Sequence, residues 1–285
     1  MGDESSFLTL EGFDHLYSFF TSRVDSALVK DILDKILESA DGGNYRAITK
    51  NKKTKALRKS EQINSMIGML HSMCESPRHI LEIGSATGRM AVEIADRMEY
   101  SRIVGVEIKR DNVLRARKNA EERSNLSFIE ANAFSFNPEE KPDITLCLHG
   151  CGALTDRVAD IAVLNSSALL CAPCCYGVLR KENNQEGNYH LPRSSTLKKR
   201  EEAFDSLIKR AANIEGAHKD SRLNAREIYR ELTLTLLNFD RIFYLQEKGF
   251  WAGLGRLTPS GGPLGERSYI NSPHSIIIKG MPPQT

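Results

Sequence analysis

The run Ile80-Leu81-Glu82-Ile83-Gly84-Ser85-Ala86-Thr87-Gly88 constrains the fold more than any other part of the chain. His79 to Ile83 reads as a short apolar strand that ends beside a carboxylate. A glycine-bearing turn follows, and then a helix from about Met90 to Met98. Glycines in such a turn let the backbone adopt left-handed conformations and approach a ligand closely. A strand that turns through glycines into a helix is the opening unit of an open α/β sheet. Such sheets bind ligands beyond the carboxyl ends of their strands.

The segments that follow repeat the pattern. Arg102–Glu107, Leu126–Glu130, Asp143–Leu148 and Ser167–Ala172 read as strands, and Asn112–Arg123 and Thr155–Leu164 as helices between them. Strands that alternate with helices predict a parallel sheet with helices on both faces. Right-handed crossovers then gather all the strand C-terminal ends on one edge. A long helix is expected from about Ser221 to Lys248. Phe250–Leu257 and Ser275–Ile278 are expected as a closing strand pair, with the turn-rich Pro259-Ser260-Gly261-Gly262-Pro263 between them. Upstream, Phe7 to Ala40 reads as helical, and another helix carries Ile63, Met66, Ile67 and Leu70 on one face. The 285 residues suffice for one large α/β domain with an appendage. The expected layout is a helical extension with a basic segment over 1–60 and one domain over 61–285, with an insertion at about 180–220.

Charge and cysteine usage narrow the function classes. The net charge is +2, so any nucleic-acid contact must come from a local patch rather than from the whole molecule. Candidates are the basic run Lys50, Lys52, Lys53, Lys55, Arg58 and Lys59, with Arg110, Arg115, Arg117, Lys118, Lys198, Lys199 and Arg200. Tyr189 and His190 offer stacking groups in the insertion. A solvated helix or linker is the competing reading of the basic run. Five of the six cysteines, Cys147, Cys151, Cys171, Cys174 and Cys175, fall in one short stretch, whereas disulfide scaffolds spread theirs along the chain. They read as reduced thiols in a cytoplasmic or nuclear protein. No run approaches a membrane span, and Met1 to Ser5 lacks the features of a signal peptide.

Glu107 closes the second strand about twenty residues after the glycine loop, where a carboxylate accepts hydrogen bonds from both hydroxyls of a ribose. Asn132, after the third strand, can donate and accept at an adenine edge. The glycine loop alone does not separate NAD from S-adenosylmethionine.

Taken together, Leu81–Gly88, Val104–Glu107 and Ile129–Ala133 resemble motifs I, II and III of class I S-adenosylmethionine-dependent methyltransferases, with Ala86 where the family usually has its middle glycine. The resemblance implies a Rossmann-like seven-stranded sheet with the last two strands antiparallel. It also implies S-adenosylmethionine as cofactor, held by Glu82, Gly84, Ser85, Ala86, Gly88, Glu107, Ile108, Asn132, Ala133, Leu148 and His149. A narrower likeness lies in Leu148-His149 with Cys151-Gly152 and Thr155-Asp156, in Cys174-Cys175-Tyr176, and in Asn238-Phe239-Asp240-Arg241. It is similar to the methyltransferase-domain subfamily that contains the glutathione S-transferase C-terminal domain-containing protein. More distantly it is similar to the tRNA 2′-O-methyltransferase of the acceptor stem. That likeness implies RNA, and tRNA within it, as the methyl acceptor. The alternatives are a protein, a small molecule, or a silent cofactor-binding scaffold.

The same family resemblance puts His149 and the Gly150-Cys151-Gly152 turn after the fourth strand, facing the methyl. His149, Cys174, Cys175 and Tyr176 are the candidate catalytic residues, with His149 as the base. Asp156 is expected to cap or open the next helix. No N-P-P-[YF] motif supports methylation of an exocyclic amine. The thiols have three readings: small buried hydrophobes, metal ligands, or nucleophiles that add to a pyrimidine ring. Packing is the favoured one, and no metal site is assigned.

Overall fold

The computed structural model describes residues 55–179, 192–198, 225–257 and 276–283. The expected helix over Phe7–Ala40, Lys50, Lys52 and Lys53 of the basic run, Tyr189, His190, Lys199 and Arg200 lie outside these residues. The chain divides into two compact units, Asn51–Lys219 with Thr233–Thr285 and Met1–Lys50 with Asp220–Leu232. The sheet lies in the first unit. Of the second, the described residues include only the opening turns of the last helix.

A helix α1 (Lys55–Met73) precedes the sheet. Then come β1 (His79–Ile83), α2 (Arg89–Ala95), β2 (Arg102–Glu107), α3 (Arg110–Asn119) and β3 (Leu126–Glu130). The second half contains β4 (Ile144–Cys151), α4 (Leu154–Asn165), β5 (Ala168–Cys174), a short 3-10 turn (Tyr176–Leu179), α5 (Ala225–Glu247), β6 (Trp251–Arg256) and β7 (Ile276–Met281). The strand order is β3-β2-β1-β4-β5-β7-β6. Strands β1 to β5 are parallel, and β7 is antiparallel to both β5 and β6. The seven-stranded, Rossmann-like expectation is met, including the antiparallel closing pair. The strand order reverses between β1 and β4, and the crevice of an open sheet forms at such a reversal.

Strand alternation divides the core into two layers. Ile80, Ile103, Ile144, Leu146 and Leu170 pack against Ile63–Leu70 of α1, Met90–Ala95 of α2 and Val113 and Ala116 of α3. Leu81, Ile83, Val104, Cys147, Leu169 and Cys171 face Val158–Ala162 of α4 and Ile242 and Leu245 of α5. Both faces of β1, β2, β4 and β5 are therefore dry, which is why they read as nearly continuous apolar runs, whereas the edge strand β3 exposes Ser127 and Ile129.

Two features go beyond the expectation. Strand β4 continues through His149 to Cys151 instead of ending at Leu148, with a register shift against β5 between Leu148 and Gly150. Asp156 opens α4 rather than capping it. Ala153 occupies that position without a side-chain cap. Asp156 is fully buried in the first turn, where both its oxygens accept from Arg241 of α5 at 2.9 Å. The other guanidinium protons go to the Asn238 Oδ1 and the Gly152 carbonyl. A carboxylate cannot stay charged in the interior without such a partner, and a helical pattern does not reveal a partner eighty-five residues away.

Removing one member of this pair strands the other. Asp156→Ala is expected to cost about 3–5 kcal/mol in urea unfolding, whereas Asp156→Leu with Arg241→Met is expected to lie much closer to wild type.

Candidate functional site

The glycine loop is built by hydrogen bonds to β2. Gly84 and Ser85 N–H donate to the Val106 carbonyl at 2.8 and 3.0 Å, and Gly88 N–H donates to the Ser85 carbonyl. Gly84, Ala86 and Gly88 all have positive φ, at 72°, 49° and 76°. Gly88 has a second constraint, because a Cβ there would lie 2.5 Å from Phe128. Phe128 of β3 also fills the space above Gly105 of β2. Ala86 takes the left-handed conformation at a steric cost of about 1–2 kcal/mol.

Glu107 ties the loop to the end of β2. Its Oε2 accepts the Ala86 N–H at 3.0 Å and its Oε1 accepts the Lys109 N–H at 2.8 Å. Each oxygen keeps a further lone pair, so the carboxylate is held at fixed orientation with capacity for a diol. Ile108 beside it is exposed, as an adenine or ribose contact requires. Asn132 forms a local turn in which its Oδ1 accepts from Phe134 N–H at 2.9 Å. The second lone pair of that oxygen and the amide protons remain compatible with an adenine edge. Arg157 clamps this loop from α4, donating to the Ala133 and Phe136 carbonyls and to Asn137 Oδ1. No sequence pattern marked Arg157. It is a buried cation that satisfies loop carbonyls.

At the crevice floor, Glu82 is buried, and its Oε2 has no hydrogen-bond partner among the described residues. The buried Ser85 Oγ has none either. Burial pushes the Glu82 carboxyl up to about 8, although Lys59 opposes the shift. Lys59 is itself pushed down by burial, with Glu82 the nearest opposing influence. Desolvation thus outweighs attraction for both groups. Lys59 ends the basic run and is half-buried, within electrostatic reach of Glu82, Cys147 and Cys174. The unsatisfied carboxylate suits a cationic ligand. Together with the close-approach glycines and the oriented Glu107, it fits S-adenosylmethionine, which carries an ammonium, a sulfonium and a ribose diol.

The β4 edge carries Leu148, which is buried, and His149, which is half-buried with φ 75° at the register shift. The His149 Nε2 is hydrogen-bonded to Oε1 of Gln62, a buried residue of α1, at 3.2 Å. Sequence reasoning had no signal for Gln62 or for α1 as a wall of the site. Cys174 is buried, Cys175 half-buried and Cys151 exposed. Tyr176 is 2% exposed, and its hydroxyl accepts from Asn238 Nδ2 at 2.7 Å. Burial pushes its phenol well up. Its side chain thus ties the end of β5 to α5.

Two outcomes test the cradle. Gly88→Ala is expected to lower the Tm and abolish cofactor binding, whereas Ala86→Gly, which relieves left-handed strain at the expense of chain entropy, stays within about 1 kcal/mol of wild type. Glu82 holds a proton in the folded state that the unfolded chain loses in the ordinary carboxylate range. Its burial therefore lowers stability as pH rises from that range through about 8. Glu82→Gln is expected to flatten this decline in thermal melts while weakening cofactor binding by roughly 10–100-fold in calorimetry.

A family model described as a methyltransferase domain matches residues 58–182. The chain is 26% identical over 231 residues to the glutathione S-transferase C-terminal domain-containing protein of Bos taurus, covering 80% of this chain and 34% of that protein. It is 27% identical over 210 residues to the Drosophila melanogaster homolog, covering 71% and 34%. The chain thus spans about a third of the length of these two relatives. Among solved structures, the plantazolicin methyltransferase BpumL in complex with SAH is similar with a TM-score of 0.44 and 12% identity, covering 87% of this chain and 89% of that one. Over residues 58–182 the chain matches a methyltransferase domain, and its sheet order, glycine loop and oriented carboxylate after β2 are those expected of a class I, S-adenosylmethionine-dependent one.

Proposed function

We propose that this chain transfers the methyl group of S-adenosylmethionine to an RNA acceptor, with tRNA the first class to test. The observation that carries the transfer itself is the crevice at the β1/β4 reversal, where Glu82 and Glu107 are the two carboxylates and His149 stands on the next strand. S-Adenosylmethionine bound there supplies an electrophilic methyl on a sulfonium. A cation bound beside Glu82 favours its ionised form, and the carboxylate then balances positive charge at the crevice floor. Glu107 holds the ribose diol, Asn132 and Ala133 border the adenine, and Ile108 covers it. Leu148 and His149 adjoin the methyl.

His149 supplies the base. Where Gln62 Oε1 accepts from Nε2–H, the imidazole lone pair is on Nδ1, which takes the proton from an acceptor hydroxyl. Gln62 fixes the ring, so little orientation has to be found during reaction. Cys174 and Cys175 border the same edge and shape the acceptor mouth.

The RNA reading is supported by local charge. Arg110, Arg115 and Lys118 are exposed on α3, directly after Glu107, on a chain whose net charge is only +2. Arg117 is not part of this set, because it donates to the Phe128 carbonyl. Phosphate contacts from three such cations make binding salt-dependent.

The test is transfer of a tritiated methyl to total RNA and to total protein in parallel. Nuclease-sensitive label is expected, and label that survives nuclease but not protease overturns the RNA assignment. His149→Ala is expected to lower kcat roughly 100–10,000-fold, with a far smaller change in the calorimetric Kd for S-adenosylmethionine. Arg115→Glu with Lys118→Glu is expected to raise KM for RNA and flatten its salt dependence at unchanged kcat.

A further inference from the structure

The five clustered cysteines separate into two groups with different environments. Cys147 and Cys171 are register partners, fully buried in the layer beneath α4. Their Sγ atoms lie 3.3 and 3.2 Å from where a Cβ on Gly150 would stand, so packing accounts for them. Cys151, Cys174 and Cys175 lie apart, at the very ends of β4 and β5.

Their three Sγ atoms all fall within 4.8 Å of one another. Cys151 Sγ is 2.9 Å from Cys174 Sγ and 3.3 Å from Cys175 Sγ. All six cysteines of the chain are outside disulfides. A tetrahedral zinc thiolate has Zn–S of about 2.3 Å, which places its sulfurs about 3.8 Å apart. The observed triangle needs to open by less than an ångström at each of the two short sides.

The backbone is bent in order to make this triangle. Successive residues of a strand point to opposite faces, so Cys174 and Cys175 in extended chain diverge. Cys175 instead has φ 52°, a left-handed conformation that returns its sulfur toward Cys151. The Gly152 N–H donates to the Cys174 carbonyl at 3.0 Å and fixes the two strand ends together. A non-glycine residue held in this region costs on the order of 1–3 kcal/mol and persists where the surroundings over-determine it.

We propose that Cys151, Cys174 and Cys175 form a three-thiolate site for zinc, with the fourth coordination position open at the exposed Cys151 side. Three sulfurs from the ends of adjacent strands suit a soft, borderline d10 ion that keeps one position for water or a reactant. Zinc takes cysteine as thiolate, so binding is coupled to deprotonation of the three thiols. Binding replaces three thiol protons by one zinc ion and releases the protons to solvent. The site lies on the edge that carries His149, so a metal there would also hold the two strand ends in register. The proposal does not rest on the acceptor being RNA.

The full-length protein, purified reduced and without oxygen, is titrated with cobalt(II) and then with zinc. One equivalent of cobalt with intense sulfur-to-cobalt charge-transfer absorption is expected, displaced by one equivalent of zinc. Cys151→Ser and Cys175→Ser are each expected to weaken binding at least tenfold, while Cys74→Ser is expected to leave it unchanged. Absence of the charge-transfer band in wild type overturns the site, as does its survival in the Cys151→Ser, Cys175→Ser double variant. Circular dichroism and S-adenosylmethionine binding report whether the variants fold. Independently of them, X-ray absorption of the zinc protein is expected to show three sulfur neighbours, and a shell dominated by nitrogen or oxygen overturns the proposal. A Cys151–Cys174 disulfide formed in preference to zinc binding overturns it as well.

Discussion

Much of the acceptor side of this domain depends on one buried ion pair. Asp156 and Arg241 are both removed from water, and neither is tolerable there alone. Their bidentate contact fixes the start of α4 against α5, and the remaining guanidinium protons reach Gly152 and Asn238. Asn238 in turn donates to the Tyr176 hydroxyl. Arg193 extends the network by donating to the Asp156 carbonyl and to Asp160, and Asp240 accepts from the Arg193 and Ser194 N–H groups. A burial-driven network of this kind contributes less net stability than its bond count suggests. Its contribution is register: the turns that follow β4 and β5 have one arrangement in which every buried charge is met.

The cofactor side is organised by a different device. There the loop backbone is held by the neighbouring strand, and Glu107 uses one oxygen on the loop and the other on the N–H that follows it. Phe128 makes the device specific, since its ring fills the space that side chains at Gly88 and Gly105 would take. The two devices meet at the β1/β4 reversal. Glu82 at that junction is left with an unsatisfied oxygen, a cost that folding alone does not recover. A cationic ligand recovers it, so the same burial that weakens the empty fold strengthens recognition.

Much of this was legible in the sequence where the cause is local. The alternation of apolar strands with helices gave the parallel sheet, and the spacing from Gly88 to Glu107 gave the cradle. The terminal pair was visible as two short apolar runs flanking a proline- and glycine-rich turn. The rest was hidden because its cause is distant. Thr155-Asp156 has the form of a cap, and only the approach of α5 makes Asp156 a buried counter-ion. Lys59 belongs to a basic run by composition, yet α1 brings it to Glu82. Gln62 has no local signature at all, because its meaning comes from a histidine eighty-seven residues later. Tyr176 follows two cysteines at a strand end, the expected place of a reacting group, but α5 covers it and takes its hydroxyl.

His149 shows how these levels combine. As part of a regular strand its side chain would alternate with Leu148 and Gly150 between the two core layers. The register shift at Leu148/Gly150 and the left-handed backbone at His149 break that alternation. The ring therefore stands at the strand edge, half-buried, with one nitrogen held by a residue from the far end of the domain sequence. The irregularity is affordable because its neighbours are fixed independently. Thr155 Oγ1 donates to the Gly150 carbonyl at 2.7 Å, and Gly152 is bound to both Cys174 and Arg241. With both flanks pinned, the strain at His149 cannot relax by unwinding the strand. It is expressed instead as a fixed imidazole beside the crevice, which is the condition a positioned base requires.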